Sequence, residues 1–352
     1  VSYGGGCYSD LNGYESDDQV QHKSKKHVNK VVATCKHGLT FYKKMKLNNG
    51  LKIYFKIEAK RNSRYLLGTG GTGGVFHAYL PSEENQCLAL KIAQNIVASE
   101  EIQIHEHFLN INEQEKNRII KYYGYKDDNS KYNDRTFIAL EYGGISLLEY
   151  YDLFKRQEND LFLLSNIIKG AARALAQFNQ HAIHFDIKQS NFIVSEEPNS
   201  NIEDSVKIID FHLSVLLNTS TAHNVRFDFM TKIYMAPEIR GLDIERFESG
   251  IERNISMTKT DVWSFGLMCY NLIYGLITSS ISYNELDLLL EEYRKDSQHD
   301  ELNRMVKACI QEQPNQRPLM RTVVRFLEKE CHGFNYEKSY LTLEENQVWC
   351  VD

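Results

Sequence analysis

The 352-residue chain has no C-x-x-C pair, no excess of basic residues, no apolar run long enough to cross a bilayer and no internal repeat. Each absence narrows the field. The seven cysteines, Cys7, Cys35, Cys87, Cys269, Cys309, Cys331 and Cys350, are scattered and odd in number. That spacing predicts neither a disulfide framework nor a zinc site, and it suits a reducing compartment. Lys and Arg number 41 against 47 Asp and Glu, a net charge of −6. Nucleic acid is therefore not expected as the main partner, since such proteins carry a basic face. The longest apolar stretch, 266–277, is too short for a membrane span. No secretory pattern opens the sequence, so a cytoplasmic location is the expectation. The first residue is Val1 rather than Met, which leaves room for a preceding targeting segment.

What is present suits a folded core. Hydrophobic residues make up 42% and charged residues 25%, and the length allows two packed domains or one large two-lobed one. Residues 1–38 begin rich in Gly, Ser, Tyr and Asp and then carry a basic run, which predicts a flexible N-terminal extension or a docking segment. Residues 39–63 read as an added β-hairpin: Leu39-Thr-Phe-Tyr and Leu51-Lys-Ile-Tyr-Phe-Lys-Ile flank the turn residues Asn48, Asn49 and Gly50. Strand patterns follow at 65–67, 75–79, 88–92 and 136–141, with a helix at 98–110. From Leu147 the period turns helical, most clearly over 161–180. Short strands at 192–194 and 206–209 precede a second helical stretch after Asp261. The tail, 333–352, carries Leu341, Leu343, Val348 and Trp349, which suit docking on the body or on a partner.

The chemistry-bearing motifs come in a fixed order. Gly68-Thr-Gly70-Gly-Thr-Gly73-Gly-Val75 is G-x-G-x-x-G-x-V followed by a strand. Glycines there let backbone N–H groups approach phosphates without Cβ interference. A dinucleotide fold would continue into a helix instead. Lys91 follows in Leu88-Ala89-Leu-Lys91-Ile, and Glu101 leads its acidic partners, with Glu100 and Glu106 as competitors. His184-Phe185-Asp186-Ile-Lys188-Gln-Ser-Asn191 offers a carboxylate, a cation and a neutral oxygen ligand in one turn. Asp210-Phe211-His212 comes nineteen residues after Asn191, with the polar stretch 195–205 between them as a hairpin loop.

Together these resemble the eukaryotic-type protein kinase family, from about residue 64 to 332. The glycine loop, the V-A-I-K strand, H-R-D-x-x-x-x-N, D-F-G, the A-P-E of Ala236-Pro237-Glu238, and Asp261-Val-Trp-Ser-Phe-Gly266 all appear in the family's order. The resemblance implies an α+β, two-lobed kinase fold. A small β-rich N-lobe (64–141) and a larger helical C-lobe (145–332) would hold ATP in the cleft between them. It implies a protein serine/threonine kinase that moves the γ-phosphoryl group of ATP to a protein substrate with Mg²⁺, or alternatively Mn²⁺. Asp186, Lys188 and Lys91 would be catalytic, and Asn191 and Asp210 would ligate the metal. ATP would meet Gly68, Gly70, Gly73, Val75, Ala89, Lys91, Glu101, Glu141, Gly143 and Ile193. Leu140 would stand at the gatekeeper position, Thr231 would brace Asp186 and Lys188, and Arg317 would pair with Glu238.

Two positions depart from the family pattern. Phe185 replaces the Arg that grips a phosphorylated activation loop, so weak dependence on phosphorylation at Thr219, Ser220 or Thr221 is expected. His212 replaces the Gly of D-F-G. A pseudokinase, binding nucleotide or scaffolding without transfer, is the alternative reading.

Overall fold

A computed structural model describes residues 33–58, 63–70, 73–81, 85–130, 133–155, 160–194, 201–217, 223–226, 229–240, 244–247, 251–296 and 300–352. Thr219, Ser220 and Thr221 lie outside them, as do residues 1–32. The chain divides into two compact units. The first joins the residues up to Ile102 to Lys121–Tyr142, and the second joins Gln103–Ile120 to Gly143–Asp352.

The first unit is built on strands β1 (Ala33–Thr34), β2 (Thr40–Phe41), β3 (Lys43–Lys46), β4 (Lys52–Phe55), β5 (Leu66–Gly70), β6 (Gly73–Leu80) and β7 (Gln86–Gln94). Helix α1 (Asn95–Leu109) follows, belonging to this unit only as far as Ile102, then β8 (Tyr122–Ser130) and β9 (Asn133–Glu141). A seven-stranded sheet runs β3-β4-β6-β7-β9-β8, with β5 on β6. Side chains alternate across a strand, so its two faces separate cleanly. Phe76, Ala78 and Leu80 of β6 join Leu88, Leu90 and Ile92 of β7 on one face. Together with Leu47, Ile53, Phe55, Phe137 and Ala139 they form the core. Each Leu, Ile or Phe among them contributes roughly 1.5–3 kcal/mol on burial. The other face carries Val75, His77 and Tyr79 opposite Lys91, Ala89 and Cys87 in register.

The expected hairpin is re-partitioned. Its first strand is Lys43–Lys46, paired with Lys52–Phe55 across a turn where Gly50 takes φ +90°. Thr40–Phe41 pairs instead with Ala33–Thr34. The physical reason is the second layer: Leu39 and Phe41 bury with Cys35, Tyr79 and Cys87 on the back of the sheet. The 33–38 segment, read from sequence as part of the extension, is thus a strand and turn. Strand β8 is an addition to the expected elements. Its polar Lys-Asp-Asp-Asn run hides a nine-residue partner of β9.

The second unit contains β10 (Ile145–Ser146), α2 (Leu147–Phe154), α3 (Asp160–Phe178), β11 (Ala182–Ile183), β12 (Phe192–Val194), β13 (Val206–Ile208) and β14 (Val215–Leu216). It continues with β15 (His223–Arg226), β16 (Ile244–Phe247), α4 (Ile251–Tyr274), α5 (Tyr283–Lys295), α6 (Glu301–Cys309) and α7 (Met320–Leu327). Helix α3 buries ten residues at i, i+3, i+4 spacing, from Leu163 to Phe178. Helices α2 and α5 start with full capping boxes on Ser146 and Ser282. Among the described residues no helix is long and apolar enough to cross a membrane.

The tail docks on this unit. His332 donates to the Val348 carbonyl and Cys350 to that of Gly333. The Asp352 carboxylate takes bonds from Lys259 Nζ (2.5 Å), Leu319 N (2.7 Å) and Thr322 Oγ1 (2.9 Å). Cys331 and Cys350 form a disulfide, against the expectation from spacing. Their pairing is set by the fold of the tail, which a sequence separation of 19 does not reveal.

Candidate active site

In the first unit the glycine loop joins β5 to β6, and Gly71 and Thr72 lie outside the described residues. Gly73 has φ +156°, and a Cβ there would lie 1.8 Å from the Ile92 carbonyl oxygen, so only glycine fits against β7. Among the described residues no atom lies within 4 Å of a Cβ added at Gly68 or Gly70, so packing against them does not require glycine at either position. Val75 and Ala89 stand half-buried on the sheet face that also carries Lys91. Lys91 Nζ lies 2.6 Å from Glu101 Oε2, with both side chains buried. The three-way choice of partner is resolved for Glu101, because α1 turns Glu100 and Glu106 outward to exposed positions. Glu141 ends β9, where its N–H donates to the Lys121 carbonyl at 2.8 Å. Leu140 beside it is buried.

In the second unit the loop after β11 is fixed from below. The Asp261 carboxylate accepts the N–H groups of His184 (2.8 Å) and Phe185 (2.9 Å), plus Asn179 Nδ2 (2.8 Å). Full burial pushes the Asp261 carboxyl up, and these donors oppose that shift. Sequence reading missed Asn179; a lone asparagine in the turn just past the end of α3 carries no local signal. His184 Nδ1 accepts the Asp186 N–H at 3.2 Å, and its Nε2 lies 3.0 Å from the Ile209 carbonyl. Burial holds its pKa down, and the neutral tautomer with Nε2–H satisfies both contacts. Phe185 is buried at φ +63°, with its side chain packed into the interior where an Arg would carry charge.

That scaffold presents Asp186. Its Oδ1 accepts Thr231 Oγ1 at 2.7 Å and Thr231 N at 3.1 Å. Lys188 Nζ sits 2.5 Å from its Oδ2 and 3.1 Å from Thr231 Oγ1. Asn191 Nδ2 donates to the Asp186 carbonyl at 2.8 Å, which directs its amide oxygen the other way. Asp210 holds φ +70°. Phe211 after it is buried against Phe178 (4.9 Å), His105 (5.0 Å) and His184 (5.8 Å). His212 keeps an ordinary backbone and reaches back, placing Nδ1 2.7 Å from Asp210 Oδ1. Ile193 packs on Gly143: a Cβ at Gly143 would meet Ile193 Cδ1 at 1.8 Å. Lower in the unit Arg317 forms a bidentate pair with Glu238 at 2.6 and 2.9 Å, over the ring of Trp263.

A family model described as the protein kinase domain matches residues 62–326, three quarters of the sequence. The chain belongs to the protein kinase family. Its fold is that family's two-lobed α+β fold, with a curled sheet in the first unit and helices in the second. The chain is 27% identical over 266 residues to the dual specificity protein kinase TTK of Mus musculus, covering 71% of this chain and 29% of that protein. It is 28% identical over 308 residues to the LRR receptor-like serine/threonine-protein kinase FEI 2 of Arabidopsis thaliana, covering 79% and 47%. With the serine/threonine-protein kinase Aurora-1 of Arabidopsis thaliana it shares 29% over 218 residues, covering 58% and 63%. The chain therefore spans less than two thirds of the length of each of these relatives.

Proposed function

We propose that this kinase domain is active and transfers the γ-phosphoryl group of ATP to serine or threonine hydroxyls of a protein substrate. One observation carries the reading: the Asp186 carboxylate meets Thr231, Lys188 and, at 3.3 Å from its Oδ2, the Asn191 amide nitrogen at once. A carboxylate so held can align an incoming hydroxyl and accept its proton. Lys188, at hydrogen-bond distance from it, would meet the charge that develops on the transferred group. Lys91, oriented by Glu101, would hold the α- and β-phosphates. Gly68, Gly70 and Gly73 would offer backbone N–H groups to the same phosphates. Val75, Ala89 and Ile193 would pack on adenine, with the Glu141–Gly143 backbone hydrogen-bonding its edge.

The donor set suits Mg²⁺, which takes hard oxygen ligands: the Asp210 carboxylate and the Asn191 amide oxygen supply them. Bound there, the ion would neutralise phosphate charge. Asp210 and Asn191 would hold it, and Lys91 would share in neutralising the phosphate charge.

One observation favours the second reading, a nucleotide-binding pseudokinase. His212 Nδ1 engages the Asp210 carboxylate that the metal would need. Radiolabelled transfer from ATP to the protein and to myelin basic protein, under Mg²⁺ and under Mn²⁺, separates the two. Labelled phosphoserine or phosphothreonine that disappears in Asp186→Ala and Lys91→Ala supports the active reading. Label in the folded wild type no higher than in the variants, with nucleotide binding retained, supports the pseudokinase.

A further inference from the structure

The first unit gathers two thiols and two imidazoles far from Asp186 in sequence. Cys35 and His37 sit in the turn between β1 and β2, His77 in β6 and Cys87 at the start of β7. Their ligand atoms, Sγ or ring N, all lie within 4.8 Å of one another. His37 Nδ1 is 3.1 Å from Cys87 Sγ, and Cys35 Sγ is 3.9 Å from His77 Nε2. Cys35, His77 and Cys87 are buried and His37 partly so. We propose that Cys35, His37, His77 and Cys87 form a four-ligand structural zinc site that fastens the β1–β2 hairpin to the back of the sheet.

The distances suit that ion. Zn–S bonds of about 2.3 Å and Zn–N bonds of about 2.0–2.1 Å, arranged tetrahedrally, set ligand atoms roughly 3.3–3.8 Å apart. A thiol–imidazole hydrogen bond accounts for either pair alone and leaves the convergence of both pairs unexplained. Two thiolates with two imidazoles select zinc over hard cations, and four protein ligands leave no open position, the mark of a structural site. Binding releases the two thiol protons.

The surroundings are built for it. His77 and Cys87 lie on one face, diagonal across the β6–β7 ladder in which His77 faces Ala89 and Tyr79 faces Cys87. Gly38, at φ +71°, closes the turn that presents Cys35 and His37, with its N–H on the Cys35 carbonyl at 2.9 Å. Arg64 Nη2 holds the His37 carbonyl at 2.8 Å. The Tyr142 ring lies 4.8 Å from that of His77 and 5.4 Å from that of His37, and Phe41, 5.8 Å from the His77 ring, adds a second aromatic wall. A hairpin of two-residue strands has little ladder of its own; a metal cross-link supplies what the ladder lacks. Val75 and Ala89 continue the same face, so the clamp stiffens the sheet that carries them.

The test uses the full chain, purified without chelator. Elemental analysis is expected to return one zinc per chain. Cobalt substitution should give the visible bands of tetrahedral Co²⁺ with a thiolate-to-cobalt charge-transfer band. Cys87→Ser and His77→Gln should each lower zinc affinity at least tenfold, by analogy with the loss of even an outer-shell partner. Should these variants fail to fold, chelation of the wild type provides the second measurement: its melting temperature should drop and return on adding zinc. A metal-free protein with no cobalt–thiolate band and a chelator-insensitive melt overturns the site. So does a Cys35–Cys87 disulfide found by peptide mapping.

Discussion

Thr231 gives both its hydroxyl and its backbone N–H to one oxygen of Asp186, at 2.7 and 3.1 Å. The two hydrogen bonds fix the carboxylate plane and leave Lys188 to the other oxygen. Thr231→Ala removes the hydroxyl bond to a charged acceptor, worth about 1.5–3 kcal/mol. We expect kcat to fall about 10- to 100-fold, with Thr231→Ser retaining most of it. Steady-state kinetics on a peptide substrate measure this; an Ala variant at wild-type kcat would remove Thr231 from the mechanism.

The Lys91–Glu101 pair is buried on both sides, so breaking it from one side strands a charge. Lys91→Met should lower unfolding free energy by about 3–5 kcal/mol as well as abolish transfer. Glu100→Gln and Glu106→Gln, at exposed positions, should each stay within about 0.5 kcal/mol. Urea denaturation separates the cases, and equal losses in all three variants would contradict the pairing.

Stability should fall on mild acidification. Burial lowers the pKa values of His107, His181 and His184 below the ordinary 6.5. Below that value the unfolded chain takes up protons the folded chain refuses. The contribution is therefore complete above about pH 6.5 and is lost as pH falls beneath it. Each histidine can add a slope of up to about 1.4 kcal/mol per pH unit. Urea midpoints at pH 7 and pH 5.5 check the sign, and His181→Gln should flatten the difference. A midpoint that rises at pH 5.5 would reverse the assignment.

The disulfide between Cys331 and Cys350 closes a loop of 19 residues, which constrains the unfolded chain by about 3 kcal/mol. Cys350→Ser should cost roughly that much, and dithiothreitol should bring the wild type down to the variant while leaving the variant unmoved. Reductant-independent melting of the wild type would show that the tail is held by its Asp352 and Arg304–Glu337 contacts alone.

The landmarks from the glycine loop to Arg317 were legible because each is a short run whose spacing is set by one turn or one strand. The helix expected at 98–110 and the strand at 192–194 appear as Asn95–Leu109 and Phe192–Val194 for the same reason: their periods are local. Strand β8 was hidden because its partner β9, not its own pattern, makes it a strand. The sequence alone determined the family, the β-then-α order and the cast of titratable residues. Tertiary structure alone decided that Lys91 takes Glu101, that Cys331 meets Cys350, and that Cys35 and His37 come to rest beside His77 and Cys87. Those meetings depend on sheet register, on how a helix faces its sheet and on which face a hairpin or tail covers, and contacts across 10, 19, 42 and 50 residues leave no period in the chain to read.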